Sequence, residues 1–325
     1  FAISSFPLML AQAFWRPDLV LCVAPTLLNA PAALLSARLS GAVAWLHLQD
    51  FELEAALNLG ILSTGRILAG VAAWLESATL QGYDHLSTIS ERMLARLNAK
   101  GLPPVKCQLF PNWVDTHAIF PLDRSMVPLR KESGLADKEV IALYAGNLGH
   151  KQGLETVVEA ARLLEGVNQI KFVICGDGAA RETLQASADG IRNLVFMPVQ
   201  PTERLNELLN LADIHVMPQK AGAADLVMPS KLTGMLASGR PVVATAQAQT
   251  GVGSVIQQVG VLVPPGDARA LSEAIRDLAE SPQRRRQLGS MGRAYAQEHW
   301  EKETLLAEMN ERMTAWLHQR TLTRA

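Results

Sequence analysis

The chain has 325 residues, 49% of them hydrophobic and 19% charged, enough apolar material for two full cores and too much for a disordered polymer. A net charge of −1 excludes the basic surface that wraps a nucleic acid. Cys22, Cys107 and Cys175 stand in or beside strand-like runs without CxxC spacing, so free structural thiols of a reducing cytosol are expected rather than a zinc site or a disulfide framework.

In chain order, residues 1–15 read as the middle of a helix. Strand Leu19–Ala24, helix Pro31–Ser40 and strand Val43–His47 follow. The uncharged run Leu19–Ala37 approaches bilayer length, but Pro25, Asn29 and Pro31 divide it into strand, loop and helix. A polar loop with Asp50, Glu52 and Glu54 leads into the apolar stretch Gly60–Leu80. Arg66 and Glu76 make that stretch an amphipathic helix, either packed in a core or lying on a membrane surface. Strand His85–Ile89, helix Glu91–Ala99 and strand Lys106–Phe110 complete this part. The alternation implies a parallel sheet covered on both faces.

The turn-rich segments Pro111–Asp115 and Phe120–Arg124 mark a boundary. Strands are then expected at 140–145, 170–175, 194–197, 214–217, 241–244 and 260–263, with helices at 154–165, 180–188, 203–211, 231–238 and 267–279, a second doubly wound domain. The tail Pro282–Arg320 reads as helical, with Trp300 and Trp316 expected to anchor it on the first domain. Within it, Arg284–Arg286 reads as a solvated face, or as a membrane-surface contact. The expected division is 1–118, 119–298 and a final helix over 299–325. In this architecture the ligand lies in the cleft at the carboxyl ends of both sheets.

Tyr144-Ala-Gly-Asn-Leu-Gly-His-Lys-Gln-Gly-Leu-Glu155 is the most informative stretch. A buried strand runs through a glycine-containing turn into a helix N-terminus. That combination suits a phosphate, because glycines let the backbone approach it and the free N–H groups and helix dipole favour negative charge. Gly146, Asn147, Gly149 and Lys151 are the candidate ligands here. Gly176 and Gly178, after the next strand, repeat the pattern, and two such turns indicate a nucleotide rather than a lone anion. In Pro229-Ser-Lys-Leu232, Pro229 and Ser230 form a helix start in which Ser230 caps the first turn, and Lys231 is the cation. Capping alone does not call for Lys231.

Pro111-Asn-Trp-Val-Asp115, Gly146–Gly153, Cys175-Gly-Asp-Gly178, Pro229-Ser-Lys-Leu232 and Ser238-Gly-Arg-Pro-Val-Val243, in this order, resemble the GT-B glycosyltransferases of family 4. Leu48-Gln-Asp-Phe-Glu52 and Pro-Ser-Lys-Leu-Thr-Gly-Met-Leu resemble most the bacterial exopolysaccharide branch of colanic-acid type. The resemblance spans essentially the whole chain. It implies two Rossmann-like domains facing a cleft, the first incomplete, with roughly 80 residues preceding Phe1 absent on the scale of a βαβ unit.

The same resemblance implies residue roles. Met197 and Pro198 would meet the base through backbone groups. A strand-end carboxylate, Asp50, would lie near the donor sugar, and Asp50 and Lys231 are the catalytic candidates. The sequence departs from the family pattern in several places. Asn147 and Gln152 stand where the family often has Arg and Lys, with Lys151 one place early. Leu226, beside Asp225, and Gly234 stand where it often has two glutamates, and Asp225 is the candidate substitute for the first. His47 reads as a core histidine.

The implied activity is retaining hexosyl transfer from a nucleotide-diphosphate sugar to a lipid-linked or growing saccharide. It would need no cofactor or metal, bind no nucleic acid, and take place in the cytoplasm or at the inner membrane face. The alternatives are a non-catalytic nucleotide-sugar or saccharide binder and a GT-B-fold nucleotide-sugar epimerase. The epimerase would need a dense set of carboxylates and histidines, whereas residues 140–240 hold only His150 and His215.

Overall fold

The computed structural model describes residues 2–24, 27–51, 66–167, 169–220 and 228–324. The chain forms two compact units, one of Phe1–Pro111 with Thr304–Ala325, the other of Asn112–Glu303.

The first unit holds β1 (Leu19–Ala24), β2 (Val43–Leu48), β3 (His85–Thr88) and β4 (Cys107–Leu109), all parallel in the order β1-β2-β3-β4. Every residue of β2 is buried, as expected of a strand covered on both faces. The helix Ala30–Ser40 begins with Pro31 in its first turn and ends at Gly41, whose φ of 72° closes it in the left-handed region. Ser90 caps Glu91–Ala99, its hydroxyl accepting from Met93 N at 3.2 Å. The last helix, Lys302–Arg324, is held on this sheet by aromatic packing. Trp316 meets Trp45 edge-on at 5.6 Å and stacks on His85 at 3.8 Å, with Phe110 and Met309 completing the cluster.

The two tail tryptophans do not act together as the sequence suggested. The expected single helix breaks between Pro282–His299 and Lys302–Arg324, and Trp300 caps the first piece. Trp300 therefore belongs to the second unit, where it packs on Tyr295 and its carbonyl accepts from Val114 N at 2.8 Å.

The second unit holds β5 (Val140–Ala145), β6 (Ile170–Cys175), β7 (Leu194–Met197), β8 (Ile214–Pro218), β9 (Val242–Thr245) and β10 (Val261–Val263). They form one parallel sheet in the order β10-β9-β8-β5-β6-β7. From β5 the chain winds outward through β6 and β7, then returns to β8 on the other side of β5 and winds outward again. The reversal between β5 and β8 is the switch point of a doubly wound sheet, where helices on opposite faces part and leave a crevice at the carboxyl ends.

One helix, Gly251–Val259, is absent from the sequence reading because Gly251 and Gly253 suggest a loop. Thr250 caps it, and Val252, Val255, Ile256 and Val259 bury its inner face. A Cβ on Gly253 would stand 2.1 Å from the carbonyl of Gln247, so the glycine permits close packing and burial overrides helix propensity. Arg285 likewise departs from a solvated face: it is half-buried, and its guanidinium donates to the carbonyls of Leu278 and Ala279 at the end of the preceding helix. Cys22, Cys107 and Cys175 are free and buried. Among the described residues, no helix is long and apolar enough to cross a membrane.

Candidate functional site

The carboxyl end of β5 passes into Gly146–Gly153, and that of β8 leads, beyond the undescribed residues 221–227, to Pro229, Ser230 and Lys231. The switch point thus brings together the glycine turn and the lysine singled out in the sequence. Gly153, with φ 74°, sits so close to the chain after β8 that a Cβ would lie 3.3 Å from Gln219 C and Lys220 N. It also opens the helix Leu154–Leu163, whose first turn has no side-chain cap; Thr156 N turns back to Gly153 O at 3.1 Å, and the N–H groups of Leu154 and Glu155 are left to face an anion.

Lys231 begins the helix Lys231–Ala237. Its Nζ lies 4.5 Å from the centre of the Tyr144 ring and donates to Gln152 Oε1 at 3.2 Å and to the Tyr144 hydroxyl at 3.4 Å. Its stem passes Gly146, where a Cβ would lie 3.8 Å from Lys231 Cδ. No ion pair to Lys231 forms among the described residues, and burial pulls its pKa down from 10.5 to about 8. The result is a half-buried cation with no matching anion among the described residues, beside the start of a helix that carries no side-chain cap.

Gly176 and Gly178 also serve a local purpose that the sequence did not show. With φ of 151° at both, a Cβ on Gly176 would stand 1.9 Å from the carbonyl of Gly146, and one on Gly178 would stand 2.4 Å from Asn147 Oδ1. Gly146 N donates to Cys175 O at 3.0 Å, Leu148 N to Asp177 O at 2.8 Å and Ala180 N to Leu148 O at 2.8 Å. The close approach these glycines allow is therefore between the two turns themselves, which shapes the 146–149 backbone. Arg181, not singled out in the sequence, donates to the carbonyl of Gly176 and braces the second turn.

Ser230 is also corrected. It occupies the capping position in αR geometry, and its side chain caps nothing. The chain is already winding there, with Leu232 N on Pro229 O and Thr233 Oγ1 on Ser230 O at 2.8 Å, so the hydroxyl is not aimed at the first-turn N–H groups. Leu232 is fully buried.

The remaining candidates are spread over the structure. Met197 is buried in the core, its carbonyl taken by Gly176 N at 3.3 Å, and the Pro198 carbonyl accepts from Gln200 Nε2 at 3.0 Å. They end β7, two strands from β5, roughly 10 Å along the sheet, about the reach of a nucleotide. Lys151 is exposed in the turn His150–Gln152, while its neighbour Gln152 is the one that meets Lys231. Asp225 lies outside the described residues.

In the first unit, Asp50 is half-buried after β2, its Oδ1 accepting from Phe51 N at 2.7 Å. His47 is the core histidine expected: Nδ1 meets Ser87 Oγ at 2.8 Å, and burial lowers its pKa to about 4. His215 is fully buried on Ser238, which removes it from any epimerase chemistry.

Tyr144, Gln152 and Asn112 are the positions sequence reasoning missed. Asn112 donates to Met228 O at 3.2 Å and holds the backbone that leads to Lys231. Its place in a turn-rich motif was visible, but its partner 116 residues away was not.

The profile described as "Glycosyl transferases group 1" matches residues 127–295, and "Glycosyl transferase 4-like domain" matches residues 2–113. The chain is 39% identical over 316 residues to the "Putative colanic acid biosynthesis glycosyl transferase WcaI" of Escherichia coli (strain K12), covering 95% of this chain and 76% of that protein. Sucrose-phosphate synthase from Thermosynechococcus elongatus shares the fold with a TM-score of 0.78 at 19% identity, covering 99% of this chain and 79% of that one. Anabaena Alr3699/HepE in complex with UDP-glucose gives 0.74 at 16%, covering 95% and 82%. The fold is GT-B, and by its matches along both units the chain belongs to the group 1 glycosyl transferases.

Proposed function

We propose that the chain moves a hexosyl group from a nucleotide-diphosphate donor to a lipid-linked or growing saccharide in exopolysaccharide biosynthesis, with retention at the anomeric carbon. The observation that carries this reading is Lys231, a half-buried cation with no acidic partner among the described residues, placed at the β5/β8 switch point beside a glycine turn and an uncapped helix start. A diphosphate leaving group gains negative charge as the glycosidic bond to it breaks, and preorganised N–H groups and a cation stabilise that charge.

In this reading Gly146, Asn147, Gly149, Lys151, Pro229, Ser230 and Lys231 surround the diphosphate. Gly176 and Gly178 shape the turn, and the ends of β6 and β7, with Met197 and Pro198, receive the nucleoside. HepE has been solved with UDP and with UDP-glucose, and WcaI carries a colanic acid name; both support the donor class and the pathway class proposed. The charge is met by Lys231 and backbone N–H groups rather than by a divalent ion, and undiminished turnover in chelator is the check on this. Asp50 is assigned by resemblance to the donor-sugar side. Asp50→Asn should then slow turnover without weakening nucleotide binding.

The test is to titrate the chain with UDP, GDP and ADP by calorimetry, then to follow nucleoside diphosphate release from the corresponding sugar nucleotides with membrane-extracted glycolipid acceptors. Acceptor-dependent release supports a transferase. Tight binding without any release in the presence of acceptor would replace it with a nucleotide-sugar binder.

A further inference from the structure

Lys231 is held entirely by uncharged groups among the described residues. The Tyr144 ring face attracts the ammonium at 4.5 Å and the Gln152 amide oxygen accepts from it at 3.2 Å. Neither cancels the charge. A carboxylate in place of Gln152 would hold the lysine as firmly and neutralise it, whereas a neutral cradle fixes its position and leaves the full charge for an arriving anion.

Tyr144 is itself fixed. It is 0% exposed, and its hydroxyl donates to the carbonyl of Asn147 at 2.7 Å. One side chain on β5 therefore sets both the site of the cation and the backbone of the turn that faces the same ligand. The three groups come from separate places: Tyr144 from β5, Gln152 from the turn, and Lys231 from the helix beyond β8, 87 residues after Tyr144.

We propose that Tyr144 and Gln152 are positioning residues, which hold Lys231 beside the Gly146–Gly153 turn and keep its charge uncompensated for the donor diphosphate. The inference rests on the donor reading above. It adds that the lysine acts at full strength only when both neutral partners are present, and that an acidic residue at 152 is the most damaging exchange at that position.

The experiment is calorimetric titration with whichever of UDP, GDP and ADP binds the unmodified chain most tightly. It uses Gln152→Ala, Gln152→Glu, Tyr144→Phe and Lys231→Ala, and each of the first three combined with Lys231→Ala. Gln152→Ala and Tyr144→Phe should each weaken binding roughly three- to tenfold, the scale of one lost hydrogen bond, and Gln152→Glu by more than tenfold. In the Lys231→Ala background all three effects should shrink to nearly nothing, because the partners act through the lysine.

The side-chain resonances of Lys231, shifted by the Tyr144 ring beneath it, should move toward ordinary lysine positions in Gln152→Ala. A merely structural role for Gln152 would leave them in place. Should Tyr144→Phe fail to fold, the half-buried Gln152 decides alone. Equal losses in both backgrounds, or Gln152→Glu no worse than Gln152→Ala, overturn the positioning role. No effect of Lys231→Ala, or no binding of any of the three nucleotides, overturns the donor reading beneath it, and so is a distinguishable failure.

Discussion

Lys231→Met tests the site because binding and stability should move in opposite directions. The thioether chain fills the same space without the charge. For binding, the loss is a charge-assisted contact to the diphosphate, about 1.5–3 kcal/mol, or roughly a 10- to 150-fold weaker Kd. For folding, the pKa of Lys231 falls from 10.5 to about 8 through burial, so the folded state holds this proton less firmly than the unfolded chain. Such a shift corresponds to a cost of about 3–4 kcal/mol at pH 7, less after screening of the partly exposed head. The methionine should therefore raise the unfolding free energy read from urea melts by ~1 kcal/mol or more while impairing the ligand site, the pattern of a residue kept for function. The pH signs follow. Nucleotide affinity should be flat below pH 8 and fall by up to tenfold per unit above it, as the free lysine loses its proton. Wild-type stability should rise from pH 8 toward 10.5, where the unfolded chain binds more protons than the folded one, and Lys231→Met should lack that rise. Calorimetry and urea melts from pH 6.5 to 10 measure both. A variant that is less stable yet binds nucleotide normally would refute the reasoning, and would make Lys231 a structural lysine.

Gly176→Ala should destabilise the second unit by about 2 kcal/mol or more, because its Cβ would stand 1.9 Å from Gly146 O at φ 151°. Gly149→Ala, with φ −90° and 3.5 Å to the nearest atom, should cost almost nothing, and urea melts of the pair give the contrast. Trp316→Ala removes the stack on His85 and the contact with Trp45 and should cost ~3–5 kcal/mol, seen as earlier unfolding of the first unit by tryptophan fluorescence. Burial depresses the pKa of His47 to about 4 and of His215 to about 3. Both are held neutral in the fold while the unfolded chain takes up protons below about 6.5. Stability should thus be level above pH 6.5 and fall below it by up to about 1.4 kcal/mol per unit for each histidine. His215→Gln should flatten that slope between pH 6.5 and 5, and an unchanged slope would count against its burial as a neutral group.

The sequence by itself determined the elements whose signals are local. Val140–Ala145, Ile170–Cys175 and Leu194–Met197 are found at the bounds read from their apolar runs, because strands buried on both faces are continuously hydrophobic. The glycine turn and the helix after it were legible from residue type and order, and Lys231 stood out as a candidate cation for the same reason. Tertiary structure decided what those residues touch. Gly176 and Gly178 serve the approach of one turn to another, Ser230 caps nothing, Trp300 and Trp316 part company at a helix break, and Gly251–Val259 becomes a helix on the strength of its buried face. Above all, the cradle of Lys231 depends on β8 returning beside β5, a pairing between segments some 70 residues apart. Local patterns specify turns and faces, but which two turns meet is settled only when the whole sheet closes its order, because burial and strand pairing act between neighbours in space rather than in sequence.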